Sequence, residues 1–92
     1  MRTHNNGELR IQDVGKEVTL VGWVAKRRNL GGIIFIDLRD RYGITQIVCK
    51  PGNPMYEVLE NVKNEYVLQV SGKVLERESK NPKLPTGDIE VE

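Results

Sequence analysis

Residues 18–48 read VTLVGWVAKRRNLGGIIFIDLRDRYGITQIV, and their alternation decides the fold. In IIFIDLR the period-2 rule puts Ile34, Ile36 and Leu38 on one strand face. Ile33, Phe35, Asp37 and Arg39 fall on the other. The first set is wholly apolar and is the core face. The second mixes a ring with an aspartate and an arginine, so it is partly wet. A large ring on a charge-bearing strand, close to Lys26, Arg27 and Arg28, has the makings of a stacking platform for single-stranded nucleic acid. A phenylalanine buried under a loop satisfies the same pattern. A short apolar run does not settle its own orientation.

Working outward, Val18 to about Arg28 is a first strand interrupted by Gly22, where a bulge or bend is expected. Asn29–Gly32 is a turn, Ile33–Arg39 the second strand, and Asp40–Gly43 leads into a third, Ile44 to about Cys49. Asn53 suits a helix N-cap and Pro54 the first helical position. Met55, Val58, Leu59, Val62 and Tyr66 then form a helical core stripe. Tyr66–Arg77 is a fourth strand with Gly72 at its middle. Glu78–Gly87 is a loop, and Asp88–Glu92 opens a fifth strand that stops without a turn or cap. Ahead of all this, Glu8–Gly15 is a lead-in that Leu9, Ile11 and Val14 can anchor.

Five strands with one helix between the third and fourth make an all-β OB-fold, a partly open Greek-key barrel. Such barrels bind oligonucleotides or oligosaccharides on the face of strands two and three, flanked by the first–second and fourth–fifth loops. Lys26, Arg27 and Arg28 lead into the first of those loops. Phe35 and Gln46 lie on the binding strands. Arg77, Lys80, Asn81 and Lys83 border or line the second loop. These placements converge on one surface and favour the base-stacking reading of Phe35.

Composition excludes more than it asserts. The 92 residues make one small domain with a net charge of +1, too little for a strong overall field. The charge is unevenly spread. Residues 18–50 carry six Lys/Arg against two acids, whereas residues 51–92 carry five against eight. Such asymmetry can mark a polyanion-facing side, and it is also common among solvated elements. Cys49 and His4 are the only residues of their kinds, which excludes an internal disulfide and a cysteine zinc site and fits a reducing compartment. With Ser71 and Ser79 in separate elements, nucleophile–base pairs lack raw material; no catalytic and no metal residues are assigned. Gly31-Gly32 reads as a hairpin turn rather than a phosphate loop. Neither a leader nor a membrane span is visible, so a soluble, cytoplasmic protein is expected.

The individual candidates have plain alternatives. The basic run is by default a solvated face, but at the lip of an OB groove an arginine can fork a phosphate or meet a base edge. Alternation lets Lys26 and Arg28 share a face, with Arg27 opposite. Gln46 can be a satisfied barrel-edge amide or a reader of a base edge. Glu90 should point outward, where a carboxylate is odd unless it accepts from an exocyclic amino group. Trp23 is assigned to the core or the barrel bottom, and Cys49 is a passive small side chain.

The wording GWVAKRRNLGGIIFIDLRDRYGITQIV, preceded by MRTHNNGELR and followed by NPKLPTGDIEVE, resembles the N-terminal anticodon-binding domain of bacterial-type aspartyl-tRNA synthetases. These are class II enzymes, in a subgroup shared with the asparagine and lysine synthetases. The likeness covers residues 1–92. One departure is Asn6, away from the site; the larger is the absence of the class II catalytic motifs. The resemblance implies a barrel that grips the splayed anticodon loop of tRNA-Asp. By it, Phe35 stacks an anticodon base, Arg28, Gln46 and Glu90 hydrogen-bond bases, and Arg77 and Asn81 make contacts around the fourth–fifth loop. It further implies an excised domain, cut within strand five. ATP and magnesium would be needed only by a missing catalytic domain, and the parent would be a homodimeric aspartate–tRNA ligase. On this reading the fragment binds tRNA without aminoacylating it. A general single-strand-binding OB domain would use the same Phe35 platform without preferring an anticodon loop, and a protein-interaction OB module would bind no nucleic acid.

Overall fold

One strand long enough to serve two neighbours closes the barrel. The structure is a computed structural model describing residues 2–92. Its strands are β1 (Glu17–Leu30), β2 (Ile33–Asp40), β3 (Gly43–Cys49), β4 (Val67–Glu76) and β5 (Ile89–Val91), with helix α1 (Tyr56–Glu60) between β3 and β4. The first half of β1 pairs with β4 and the second half with β2. The closed order is β1-β2-β3-β5-β4, as expected for an OB barrel. Every pairing is antiparallel except β3 with β5, where Gln46 lies opposite Glu90 and Ile47 opposite Val91.

The inward positions follow the alternation: Val18, Leu20 and Val24 from β1, Ile34, Ile36 and Leu38 from β2, and Val74, Ile89 and Val91 from β4 and β5 are buried. Leu9, from the lead-in, is buried with them, whereas Ile11 and Val14 stay exposed. The N-terminal arm covers part of β1 that β2 does not reach. Thr3 donates its backbone N–H to the Thr19 carbonyl, and the buried Asn6 side chain donates to the Val21 carbonyl. Among the described residues, no helix is long and apolar enough to cross a membrane.

The bulge lies at Ala25, not at Gly22. Val24 pairs with Leu38, but Lys26, two residues on, pairs with the next residue back, Asp37. That extra residue changes which side chains face the ligand surface. Unbroken alternation from Val18, Leu20 and Val24 would send Lys26 and Arg28 inward. With the bulge, Lys26 stands opposite Asp37 and Arg28 opposite Phe35, on the outward face. Gly22 stays in register with Leu68 and is needed for another reason. A Cβ there would lie 2.3 Å from the Arg39 carbonyl oxygen and 2.8 Å from the Asn6 amide nitrogen.

The helix is shorter than the stripe implies. It spans five residues, with Met55 rather than Asn53 at its N-cap, and Asn53 instead turns the chain by accepting from the Met55 N–H. Met55, Val58 and Tyr66 are about half exposed; the inward side is Tyr56, Leu59 and Val62. A nonlocal contact overrides the helical pattern. Glu65 donates its N–H to the Val24 carbonyl, and Val24 donates to the Tyr66 carbonyl, extending the β1 ladder. The chain therefore leaves the helix before Tyr66 can join it. The Tyr56 hydroxyl donates to the Gly32 carbonyl and so ties the helix to the β1–β2 turn.

Candidate nucleic-acid interface

The β1–β2 turn is a two-residue hairpin in which Gly31 (φ 60°) and Gly32 (φ 88°) both adopt the left-handed region, the conformation that fits strand twist. Beyond it the outward faces of β2 and β3 form the floor of a groove of about 490 Å³. Phe35 and Val48 are cross-strand partners on that floor, with Ile33 and Gln46 alongside. β4, β5 and the start of the following loop supply a wall carrying Leu75, Arg77 and Glu90.

A polar relay crosses the floor. The Arg28 guanidinium donates to Gln46 Oε1 at 3.1 Å, and Gln46 Nε2 donates to Glu90 Oε1 at 2.8 Å. The parallel β3–β5 pairing sets this up by placing Gln46 directly across from Glu90. Arg28 lies over the Phe35 ring, 5.7 Å from its centroid, and 3.6 Å from Asp37. One edge of the groove thus presents cationic donors and the other a carboxylate acceptor. Gln46, between them, has its amide orientation fixed. The Nε–H groups of Arg28 and Arg77 are buried and find no partner among the described residues. Buried donors of that kind are costly unless something accepts from them.

The charges nearly cancel. Arg28, Lys50 and Arg77 face Glu76, Glu78 and Glu90 around the lining. Glu76 is also drawn away toward Lys80, 2.6 Å from it, and this ion pair raises the Lys80 pKa above its ordinary value. The groove is therefore suited to donor–acceptor matching and ring stacking more than to attracting phosphate.

Five of the seven sequence candidates, Arg28, Phe35, Gln46, Arg77 and Glu90, line this groove. Lys26 does not. It is exposed on the same outward face of β1, opposite Asp37. Asn81 holds its own loop together: its N–H donates to the Gly87 carbonyl, and its Oδ1 accepts from the Lys83 N–H. Leu30, Ile33, Val48 and Leu75 supply apolar lining that was not singled out from the sequence as part of the site. Alternation around Phe35 and Gln46 could have flagged Ile33 and Val48. Cys49 points into the core, where burial, with the Glu92 charge second, pushes its thiol pKa up. Among the described residues, no group of three or more His, Cys, Asp or Glu could hold a metal ion.

Residues 18–92 match the family model described as an OB-fold nucleic acid binding domain. The chain belongs to that family. The OB domain is 59% identical to the aspartate–tRNA ligase of Streptomyces avermitilis, over 99% of this chain and 16% of that protein. With the aspartate–tRNA(Asp/Asn) ligase of Moorella thermoacetica it shares 57% identity, over 98% of this chain and 16% of the relative. The OB domain therefore spans about a sixth of the length of these curated relatives. Among solved structures, asparaginyl-tRNA synthetase from Pyrococcus horikoshii superposes with a TM-score of 0.78 at 30% identity, covering 96% of this chain and 20% of that one. The likeness to aspartyl-tRNA synthetases expected from the sequence is thus present along the whole OB domain.

Proposed function

We propose that this OB domain is the anticodon-recognition module of an aspartate–tRNA ligase, taking the splayed anticodon loop of tRNA-Asp into the β2–β3 groove. The observation that carries this reading is the Arg28–Gln46–Glu90 relay beside Phe35, with the Nε–H groups of Arg28 and Arg77 unpartnered among the described residues. A base stacked on Phe35 would present its edge to the relay. Arg28 and Arg77 offer donors to carbonyl and ring-nitrogen acceptors. The Glu90 oxygen not engaged by Gln46 would accept from an exocyclic amino or imino group. ATP, magnesium, aspartate activation and homodimer contacts belong, on this reading, to the rest of the parent enzyme, and the OB domain alone forms no aminoacyl-adenylate. The setting is cytoplasmic protein synthesis.

Phe35→Ala tests the platform. It is expected to weaken binding of a tRNA-Asp anticodon stem-loop by about 1–3 kcal/mol, the usual worth of one base–aromatic stack, while the barrel stays folded. Titration by fluorescence anisotropy, with thermal melting alongside, reads both quantities. Loss of the fold with unchanged affinity per folded molecule would make Phe35 a core residue and sink the idea. A single-strand binder indifferent to sequence would rely on a cationic track, and the near-neutral lining disfavours that alternative.

A further inference from the structure

The outward face that carries Phe35 does not end at the groove. Four residues along β2 on the same face stands Arg39, roughly 13 Å away at strand rise, with Ile44 as its partner on β3. Here a second groove of about 490 Å³ opens, and it holds two aromatic rings that the recognition site leaves unused. Trp23 lies directly across β1–β2 from Arg39 and is half-buried. Tyr42 is 52% exposed, with the Arg2 and Arg41 guanidinium groups over its ring at 5.1 and 5.3 Å. Leu84 and Pro85 form part of the opposite wall.

The two grooves share their construction. β2 and β3 floor both of them. The loop between β4 and β5 walls both, starting at Glu78 and Ser79 beside the first and reaching Leu84–Thr86 beside the second. The Thr86 hydroxyl donates to the Ile44 carbonyl and fixes that far end of the loop on β3.

Their electrostatics differ. The first groove is near neutral, whereas the second carries Arg39 and Arg41, with Arg2 alongside, against Asp40 alone. Asp40 is already committed, accepting from the N–H groups of Asn6, Tyr42 and Gly43 and pairing with Arg2 at 3.7 Å. An exposed and a half-buried ring interleaved with Arg39 and Arg41, which form no ion pair among the described residues, are the ingredients of a single-strand surface, stacking bases and meeting phosphates. OB domains accommodate roughly 4–16 nucleotides, so a strand longer than the recognised triplet has a path to follow.

We infer that the RNA track continues past the recognition groove into this second one, where Tyr42 and Trp23 stack a flanking nucleotide and Arg39 and Arg41 contact its phosphates. The inference rests on the RNA-binding reading of the first groove. The first groove selects the sequence and the second lengthens the grip.

Trp23 is the only tryptophan, so its emission reports on the second groove and not on the first. The test titrates the protein with an RNA tetranucleotide containing the aspartate anticodon triplet, and with two octanucleotides extending it on either side. The tetranucleotide is expected to bind without altering Trp23 emission. One octanucleotide should bind more tightly and quench it. Tyr42→Ala, an exposed turn residue, should remove that gain, by about tenfold if one stack is lost. Arg41→Gln should reduce the gain mainly at low salt. If neither octanucleotide quenches Trp23, or if Tyr42→Ala leaves the gain intact while the tetranucleotide binds, the second groove is not an RNA site. Quenching by an acidic peptide but by no RNA would assign it to a protein instead. Failure of every RNA to bind would remove the anticodon reading itself and this inference with it.

Discussion

Gln46 shows how a single amide can acquire meaning from its neighbours. Alone on a strand, it could face either way; between Arg28 and Glu90, its oxygen must accept and its nitrogen must donate. A rotatable side chain becomes a fixed pattern before any ligand arrives, and preorganisation of this kind reduces the entropy lost on binding. The same logic explains Glu90, whose negative charge would otherwise repel RNA. Phosphate contacts hold the strand without reading it, whereas base edges are read by placed donors and acceptors. Gln46→Ala is therefore expected to narrow the preference for the aspartate anticodon loop over one with a changed middle base. The loss should be on the order of 1–3 kcal/mol, by analogy with base-edge contacts in duplex readout. Competitive binding of the two stem-loops measures it. Undiminished discrimination in the mutant would shift the reading role to Glu90.

At the scale of elements, the close approach at Gly22 and the bulge of β1 place the site. Gly22 allows β1 to approach the Arg39 carbonyl closely, and the Ala25 bulge then turns Arg28 onto the groove face. Gly22→Ala should cost about 1–3 kcal/mol, since the added methyl meets backbone rather than a movable side chain. Urea unfolding would show it, and a wild-type midpoint would mean that β1 and β2 separate freely at this point. The strands themselves were legible because apolar alternation is a local signal. Alternation sets Phe35 off the apolar face of β2, and the convergence of Gln46 and the two flanking loops on it favours the outward reading. The bulge was not legible, because no residue type marks Ala25; it follows from how two registers meet. The helix was overread for a related reason. Its stripe continues in sequence to Tyr66, but Glu65 and Tyr66 bond to Val24, a partner some forty residues away that no local pattern reveals. Asn81 sits on the β4–β5 loop, as its position in the sequence indicates, and braces that loop with its backbone and side chain.

For the whole molecule, the distribution of charge sets how binding should respond to salt. The net charge of +1 gives little long-range attraction, and the recognition groove balances its own cations with carboxylates. Cations in no ion pair among the described residues lie outside it: Lys26 and Arg27 on the exposed end of β1, and Arg39 and Arg41 at the second groove. Each phosphate neutralised on a single strand contributes about −0.7 to the slope of log K against log salt. A short RNA held only in the recognition groove should therefore show a shallow slope, on the order of −1. A strand reaching the second groove should add roughly one or two such increments. Lys26→Ala should remove about one increment from stem-loop binding, weakening matched and mismatched loops alike. Titrations at several salt concentrations, run in parallel on short and long RNAs, measure these slopes. A steep slope already present for the shortest RNA would mean that phosphate attraction dominates, and a near-neutral groove could not then be the main source of affinity. A shallow slope there, steepening with length, is what a selective floor flanked by cationic ends requires.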